Sequence, residues 1–440
     1  MEEITGTTGD LIKGKSAYLQ GSDEPQTGTL ELTGNATDGY VYSGKTYYNT
    51  DAKAKRTGTM TVGSILSFSA QAYSGRQILL KWQNPYAATG RPFSGVHVWY
   101  STGGYPGAGG GTWLYSGYGG NSTSGGWCQA VATLPNLNTT YYFTACSYAT
   151  CSAGDLWGTA FNAAATTGGD IWVTFTSSRN YSIAGGYATM DVFCVGGGGG
   201  GGNASGGWTK MDGDKYHYVN PGTGGGGGYT VSQQYALNYQ AKNANIIIGG
   251  GGGPGGNGGA SYIAIDGKNV GYANGGKAGG TAGTVSWSAG SMENNFEGRG
   301  GNGGSPGGGV MAKYERGTVY AYENGGSDSN TGSHYGASGN WSGAGQGRTT
   351  RAWGQSGGTL YSGGGGPGKG ENNRASTGPG TGGAGGGANG SNYWDAPGSS
   401  AAANTGGGAG GGCAYYYASN DVRSSGGGTG GSGIVLLHLY

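Results

Sequence analysis

Met190-Asp191-Val192-Phe193-Cys194-Val195 runs directly into seven consecutive glycines, residues 196–202. The apolar residues read as a buried strand. The glycines cannot continue it in either regular form. Each one costs a helix about 1 kcal/mol relative to alanine, and a sheet gains little from residues with no side chain to pack. An extended left-handed helix with three residues per turn remains. One such strand has no internal hydrogen bonds, so its N–H and C=O groups must find partners on neighbouring strands. Without Cβ atoms, parallel strands approach closely enough to pair on all sides, the steric reason glycine occupies the collagen axis. Seven residues in this form span about 20 Å.

Working outward, further glycine blocks lie near 224–228, 249–259, 275–283, 300–309, 363–370, 378–390, 406–412 and 426–433. Packed side by side, they predict a rigid lattice whose core is backbone. The final apolar run, Ile434–Leu439, is expected to close this domain by pairing with the strands that open it, residues 171–175 and 190–195. The segments between blocks have the opposite character, being rich in Tyr and Trp mixed with Ser, Gly and Asn. That is the composition of recognition loops, because rigid aromatic rings supply contact area at low entropic cost. Some of these rings are expected to pack over the lattice faces and others to stand exposed on loops; the binding set, taken as a whole, is Trp208, Tyr216, Tyr218, Trp287, Tyr335, Trp341, Trp353, Tyr393 and Trp394.

Composition excludes several classes. The 440 residues include 110 Gly and 11 Pro, near the level of a disordered chain, yet 12% are aromatic and only 10% charged. Disordered chains have the reverse balance, so an ordered glycine-rich fold is expected. Glycine does not recur at every third position, and proline is far below the roughly 15–20% of collagen. The net charge is +1 with no basic block, which argues against nucleic acid as a partner. No apolar run approaches a membrane span, so no membrane insertion is expected. Met1-Glu2-Glu3 lacks the basic and apolar regions of a secretion signal. The reading is a protein that is made in a cytoplasm and stays there or leaves by lysis. Five cysteines without metal or disulfide spacing read as free thiols.

Glycine is about twice as dense after residue 169 as before it, and the small polar stretch 165–169 marks the change. Residues 1–60 contain a 30-residue repeat: Gly14-Lys15-Ser16 recurs as Gly44-Lys45-Thr46, and Thr27-Gly28-Thr29 as Thr57-Gly58-Thr59. Units this short cannot bury a core, so they must stack or trimerise. Both copies satisfy the P-loop pattern, with Gly9 and Gly39 as first glycines. A working P-loop needs a strand before it and a long helix after it. The residues after Ser16 are too broken for a helix, and those after Thr46 favour strand and turn. The motif is read as a turn between short strands. Residues 61–168 carry seven short strand-like runs, at 65–72, 77–83, 96–100, 113–115, 127–133, 141–148 and 161–166. That pattern fits one β-sandwich.

This sandwich resembles fibronectin type III modules: Trp82 stands at the family's core Trp, and 137–143, with Tyr141 and Tyr142, looks like its strand-F entry with the corner Tyr. The stretch 190–202, the later 224–229 and the Gly-Gly-Ser-Gly-Ile-Val ending (430–435) resemble the glycine-rich terminal domain of phage and prophage tail-fibre proteins. The N-terminal repeats are similar to repeats of such fibres. Adhesin tips of T-even-like phages also pack polyglycine helices beneath recognition loops. The resemblance implies a mostly β chain: N-terminal β repeats (1–60, attachment or shaft), an Ig/fibronectin III-like sandwich (61–168) and a glycine-rich receptor-binding domain of packed polyglycine II helices closed by β-strands (169–440). It implies a virion tail-fibre or tail-tip adhesin, a homotrimer, that meets other tail or fibre proteins and a host bacterial surface receptor, glycan or protein.

Catalytic and metal chemistry find little support. Asp212, Asp214 and His217 lie close together but lack the spacing of a calcium loop, so a polar turn is expected. His97, beside Trp99, reads as structural. A glycan hydrolase needs two opposed carboxylates. Asp266, Glu293, Glu297, Glu315, Glu323, Asp328, Glu371, Asp395 and Asp421 are scattered, with Glu293 and Glu297 the nearest pair. They read as solvated loop charge. No cofactor and no enzymatic activity are expected; a surface-polysaccharide depolymerase and a purely structural head or whisker fibre are the alternatives.

Overall fold

The computed structural model describes residues 5–151, 154–287, 293–314, 318–372, 376–418 and 421–440. Glu315 lies outside them. The chain divides into two compact units, Met1–Gly169 and Asp170–Tyr440. Among the described residues the regular structure is β, broken only by short 3-10 turns at Thr8–Asp10, Asp38–Tyr40 and Ala352–Gly354. None of their helices is long and apolar enough to cross a membrane.

In the N-terminal unit, each 30-residue repeat forms a two-stranded hairpin. Ser16–Ala17 pairs with Gln26–Thr27, and Thr46–Tyr47 pairs with Arg56–Thr57 in the equivalent register. Gly14 and Gly44 take left-handed φ values of 77° and 81° and turn the chain into the first strand. A strand, not a helix, follows each Gly-Lys-Ser/Thr, so the motif has no helix N-terminus to hold a phosphate. Seven strands then form two sheets: Ser67–Ser74, Gln77–Gln83 and Trp127–Thr133 in one, and Gly154–Thr166, Thr140–Cys151, Gly95–Ser101 and Thr112–Gly117 in the other. The inward positions of both bury Ile78, Leu80, Trp82, Val96, Val98, Tyr141 and Phe143. The Tyr141 hydroxyl accepts a hydrogen bond from the Asn136 N–H at 3.0 Å, which ties the corner down. His97 is buried on the outward side, stacked on Tyr148 with ring centres 3.8 Å apart and bonded to Asp155 at 3.2 Å. Burial holds its pKa below the ordinary imidazole value.

In the C-terminal unit the glycine blocks pair as a lattice. Along residues 196–202 the N–H donors follow a three-residue cycle. Gly196, Gly199 and Gly202 donate to Tyr229, Gly226 and Thr223; Gly197 and Gly200 to Gly259 and Gly256; Gly198 and Gly201 to Gly431 and Gly428. The acceptor numbers fall as the donor numbers rise, so these three neighbours are antiparallel. The carbonyls of the same block receive bonds from Gly252 and Gly255, Gly276 and Gly279, and Ala409 and Gly412, which rise in step and are parallel. All these N···O distances lie between 2.8 and 3.1 Å. A three-residue cycle with partners on every side is the polyglycine II arrangement. Residues 196–202, 222–228 and 406–412 are buried along their whole length.

Two caps terminate the lattice. The chain leaves the strand Thr189–Val195, crosses as 196–202, turns through the hairpin Ser205–Met211 and Asp214–Asn220, and returns through 221–228 to Thr230–Ala236. At the base, a sheet ordered Ile171–Phe175, Ile434–Leu439, Thr189–Val195, Thr230–Ala236 holds the C-terminal strand between the strands that open the unit. The alternating core of this cap buries Phe175, Met190, Val192, Val435, Leu437 and Leu439. A second sheet packs on it; a Cβ at Gly271 would meet Val192 and Cys194. At the distal end, hairpins from several passes share a small core of Val219, Ala282, Phe296, Val310, Ala312 and Ala414.

The cysteines are free thiols. Burial pushes the Cys194 and Cys413 thiols up to about 12 and Cys146 to about 11. Only the thiolate attacks an alkylating reagent. Native protein treated with iodoacetamide at pH 8 is therefore expected to label at the half-buried Cys151, with full labelling only in denaturant. Mass mapping of rapid native labelling at Cys194 or Cys413 would contradict this packing.

Candidate functional site

The distal cap is where the predicted aromatic residues gather. Asp212 and Gly213, both at positive φ (52° and 89°), form the two-residue turn of the 205–220 hairpin, the primed turn that suits strand twist. This hairpin lifts Trp208, 50% exposed, clear of the lattice, with the Lys215 ammonium 4.5 Å from its ring centre. Tyr216 meets Trp287 edge to face at 5.4 Å, which couples the hairpin to the neighbouring sheet. Tyr218 covers Gly207, where a Cβ would press on its ring. On that sheet Tyr335, half exposed, stacks on Tyr322 at 4.8 Å, and Trp341 stacks on His334 at 5.9 Å. Beneath them Glu323, 4% exposed, accepts from the Trp341 N–H at 3.2 Å and pairs with His334 at 3.3 Å. Its role is to hold the loop.

Tyr393, 64% exposed, and Trp394 come from the 391–398 loop. The Arg423 guanidinium lies between Trp394 and Tyr417, 4.2 and 4.7 Å from their ring centres, and Asp421 holds it at 2.8 Å. Such stacking fixes both rings in orientation. Sequence reasoning missed Arg423 and Lys215 because it sought rings alone; a cation two residues from a Tyr-rich hairpin turn was the available signal.

Trp353 is the exception among the predicted residues. It stands at the base, packed against Phe193 at 5.8 Å and Trp172 at 5.7 Å, and joins the base core rather than the distal surface. Successive passes alternate in direction, so composition alone cannot tell which end a connecting loop occupies.

Among the described residues of the distal cap, the nearest carboxylates in sequence, Glu293 and Glu297, do not form an opposed pair. Glu293 is buried and its backbone forms a β-bridge with that of His217, while the Glu297 carboxylate pairs with Lys313 at 3.6 Å. The two share one extended segment, about 13 Å apart at strand rise, beyond the ~5–10 Å that glycoside hydrolysis uses. Asp212 and Asp214 are exposed at the turn, whereas burial lowers the pKa of the His217 imidazole, set back along the strand. No group of three metal-ligating side chains occurs among the described residues.

A family model described as a glycine-rich domain matches residues 173–440. No curated protein matches the chain.

Proposed function

We propose, for a chain that belongs to the glycine-rich domain family through residues 173–440, that it is a bacteriophage or prophage tail-fibre or tail-tip adhesin. It binds a host bacterial surface receptor through aromatic loops on a polyglycine scaffold. One observation carries this reading: Trp208, Tyr216, Tyr218, Trp287 and Tyr335 on hairpins around one small core, and Trp341, Tyr393 and Trp394 on adjoining loops, gather at one end of the lattice. Loops anchored in this way lose little freedom on binding, so contact area converts efficiently into affinity. Ring faces suit the apolar faces of sugars, and the Asn and Ser around them suit hydroxyls.

The remaining parts take supporting roles in this proposal. The sandwich is a fibronectin type III-like spacer; its buried Trp82 and the Tyr141 corner support that assignment. Residues 1–60 attach the chain to other tail or fibre proteins or form a short shaft. A homotrimer accounts for how such small hairpins hold together. The protein resides on the virion and needs no cofactor.

Labelled full-length protein is expected to stain cells of the source host and not unrelated bacteria. Trp208→Ala, Tyr335→Ala and Trp394→Ala combined should lower cell-bound signal about tenfold or more, with the melting temperature kept. A Trp353→Phe protein that remains folded should stain as the parent does. Folded parent protein that stains no host cell would move the assignment to a structural fibre.

A further inference from the structure

We propose that the N-terminal unit carries a second binding site, for a carboxylated sugar chain, in a cleft beside the loop of residues 84–93. This goes beyond the adhesin reading, which treats that unit as a spacer, and it does not depend on the distal surface.

The cleft has a volume of about 870 Å³ and lies against the segment 61–66, with Ser64, Tyr86, Arg91, Trp157 and Thr159 among its lining residues. Its size falls in the range of ligand sites, roughly 300–1,000 Å³. A second hollow of about 290 Å³ adjoins it and shares Tyr86 and Arg91, so these two side chains stand on the wall between both. Tyr86 is 66% exposed and Trp157 46%.

The loop that presents them is held rigidly. Asn84, 1% exposed, donates through its Nδ2 to the Asn121 and Thr123 carbonyls at 3.0 and 3.2 Å. The Ala87 N–H donates to Ser124 Oγ at 2.9 Å, and the Arg91 N–H to the Ala88 carbonyl at 3.1 Å. Tyr86 lies over Gly125, where a Cβ would strike its ring. Trp157 is braced by Trp99 at 5.2 Å.

Against this fixed frame Arg91 stands out. It is the charged side chain among the described residues that line either hollow. Among the described residues its guanidinium has no ion pair and no hydrogen bond. A fixed loop therefore presents an uncompensated planar cation in a cleft that exposed rings also line, together with the hydroxyls of Ser64 and Thr159, which bond to each other at 3.1 Å and keep the Thr159 O–H free to donate. The complementary ligand carries one carboxylate, for the bidentate fork of arginine. It also carries flat apolar faces for the rings and hydroxyls for the Thr159 O–H. A sugar ring bearing a carboxylate has all three. A nucleic acid strand fits less well, because tracking its phosphates takes several cations and this cleft has one.

The test uses full-length protein, short oligogalacturonate and its fully methyl-esterified form, in isothermal titration at low salt. The acid form is expected to bind, and the ester at least about tenfold more weakly, since it cannot form the charged pair. Arg91→Gln should reduce binding of the acid to the level of the ester. Arg91→Lys should retain part of it, because the charge stays and the fork is lost. Tyr86→Ala should weaken both forms, and added salt should weaken the acid form alone. The Trp208→Ala, Trp394→Ala protein should bind as the parent does, which separates this site from the distal one. Unaltered melting temperatures would confirm that the Arg91 variants fold. The proposal fails if the acid form gives no binding at millimolar concentration, if acid and ester bind equally, if a folded Arg91→Gln protein binds as well as the parent, or if a single-stranded oligonucleotide competes more tightly than the sugar.

Discussion

Gly200→Ala is expected to lower the melting temperature of the glycine-rich unit sharply, while Gly253→Ala leaves it unchanged. A Cβ on Gly200 would sit well inside 3.0 Å of the Gly253 carbonyl oxygen, with the Gly253 carbonyl carbon and the Gly252 oxygen close behind. Those atoms are backbone and cannot rotate away. The neighbouring strand would have to withdraw, and with it the bonds it shares across the lattice. Overpacking of this kind costs about 1–3 kcal/mol even in a side-chain core that can repack. A backbone core has no rotamers to relax, so a loss of about 3 kcal/mol or more is expected. On Gly253, by contrast, a Cβ meets nothing within 4 Å. The same methyl group is therefore excluded on one side of the contact and free on the other. Substitution at an open surface position is usually within about 0.5 kcal/mol. Thermal melts of the two variants, followed by near-ultraviolet circular dichroism, check this directly. Equal melting temperatures would mean that the lattice is looser than its hydrogen-bond register implies.

Removing residues 434–440 should leave the second unit unfolded. The strand Ile434–Leu439 pairs on one side with Ile171–Phe175 and on the other with Thr189–Val195, so its loss opens the middle of the base sheet. Ile434, Val435, Leu437 and Leu439 are buried there. Each contributes about 1.5–3 kcal/mol by burial, on the order of 6–12 kcal/mol together. A domain's whole stability is about 5–15 kcal/mol, so little remains. The deletion also frees the end of the pass whose Gly428 and Gly431 carbonyls accept from Gly201 and Gly198. Limited proteolysis should then degrade the chain beyond residue 169 while the sandwich resists. A truncated protein whose second unit survives at parental protease concentration would show that the lattice holds without its clasp.

The two experiments probe different sources of order. In the sandwich and the base cap, side chains alternate in and out of a sheet and apolar burial sets the register. In the lattice no side chain is available, and the close fit of backbone atoms does that work. The consequence is a scaffold with few soft degrees of freedom beneath the distal rings.

Much of this was legible in the residues. The strand 190–195, the glycine run after it and the apolar ending together define a domain with a backbone core and a closing strand, because glycine removes every alternative except extended strands that pair outward. The repeat at residues 1–60 is an exact 30-residue offset, and its two hairpins keep equivalent register. Local chemistry also disposed of the P-loop pattern, since Ala17-Tyr18-Leu19-Gln20-Gly21 cannot sustain a helix. What tertiary structure alone decided is which segments meet. A glycine block carries no label for its partner, so the three antiparallel and three parallel neighbours of residues 196–202 follow from the path of the whole chain. For the same reason Trp353 fell at the base with Phe193 while Trp394 fell at the tip with Arg423: composition marks a connecting segment as aromatic, but the alternating direction of the passes determines the end at which it stands.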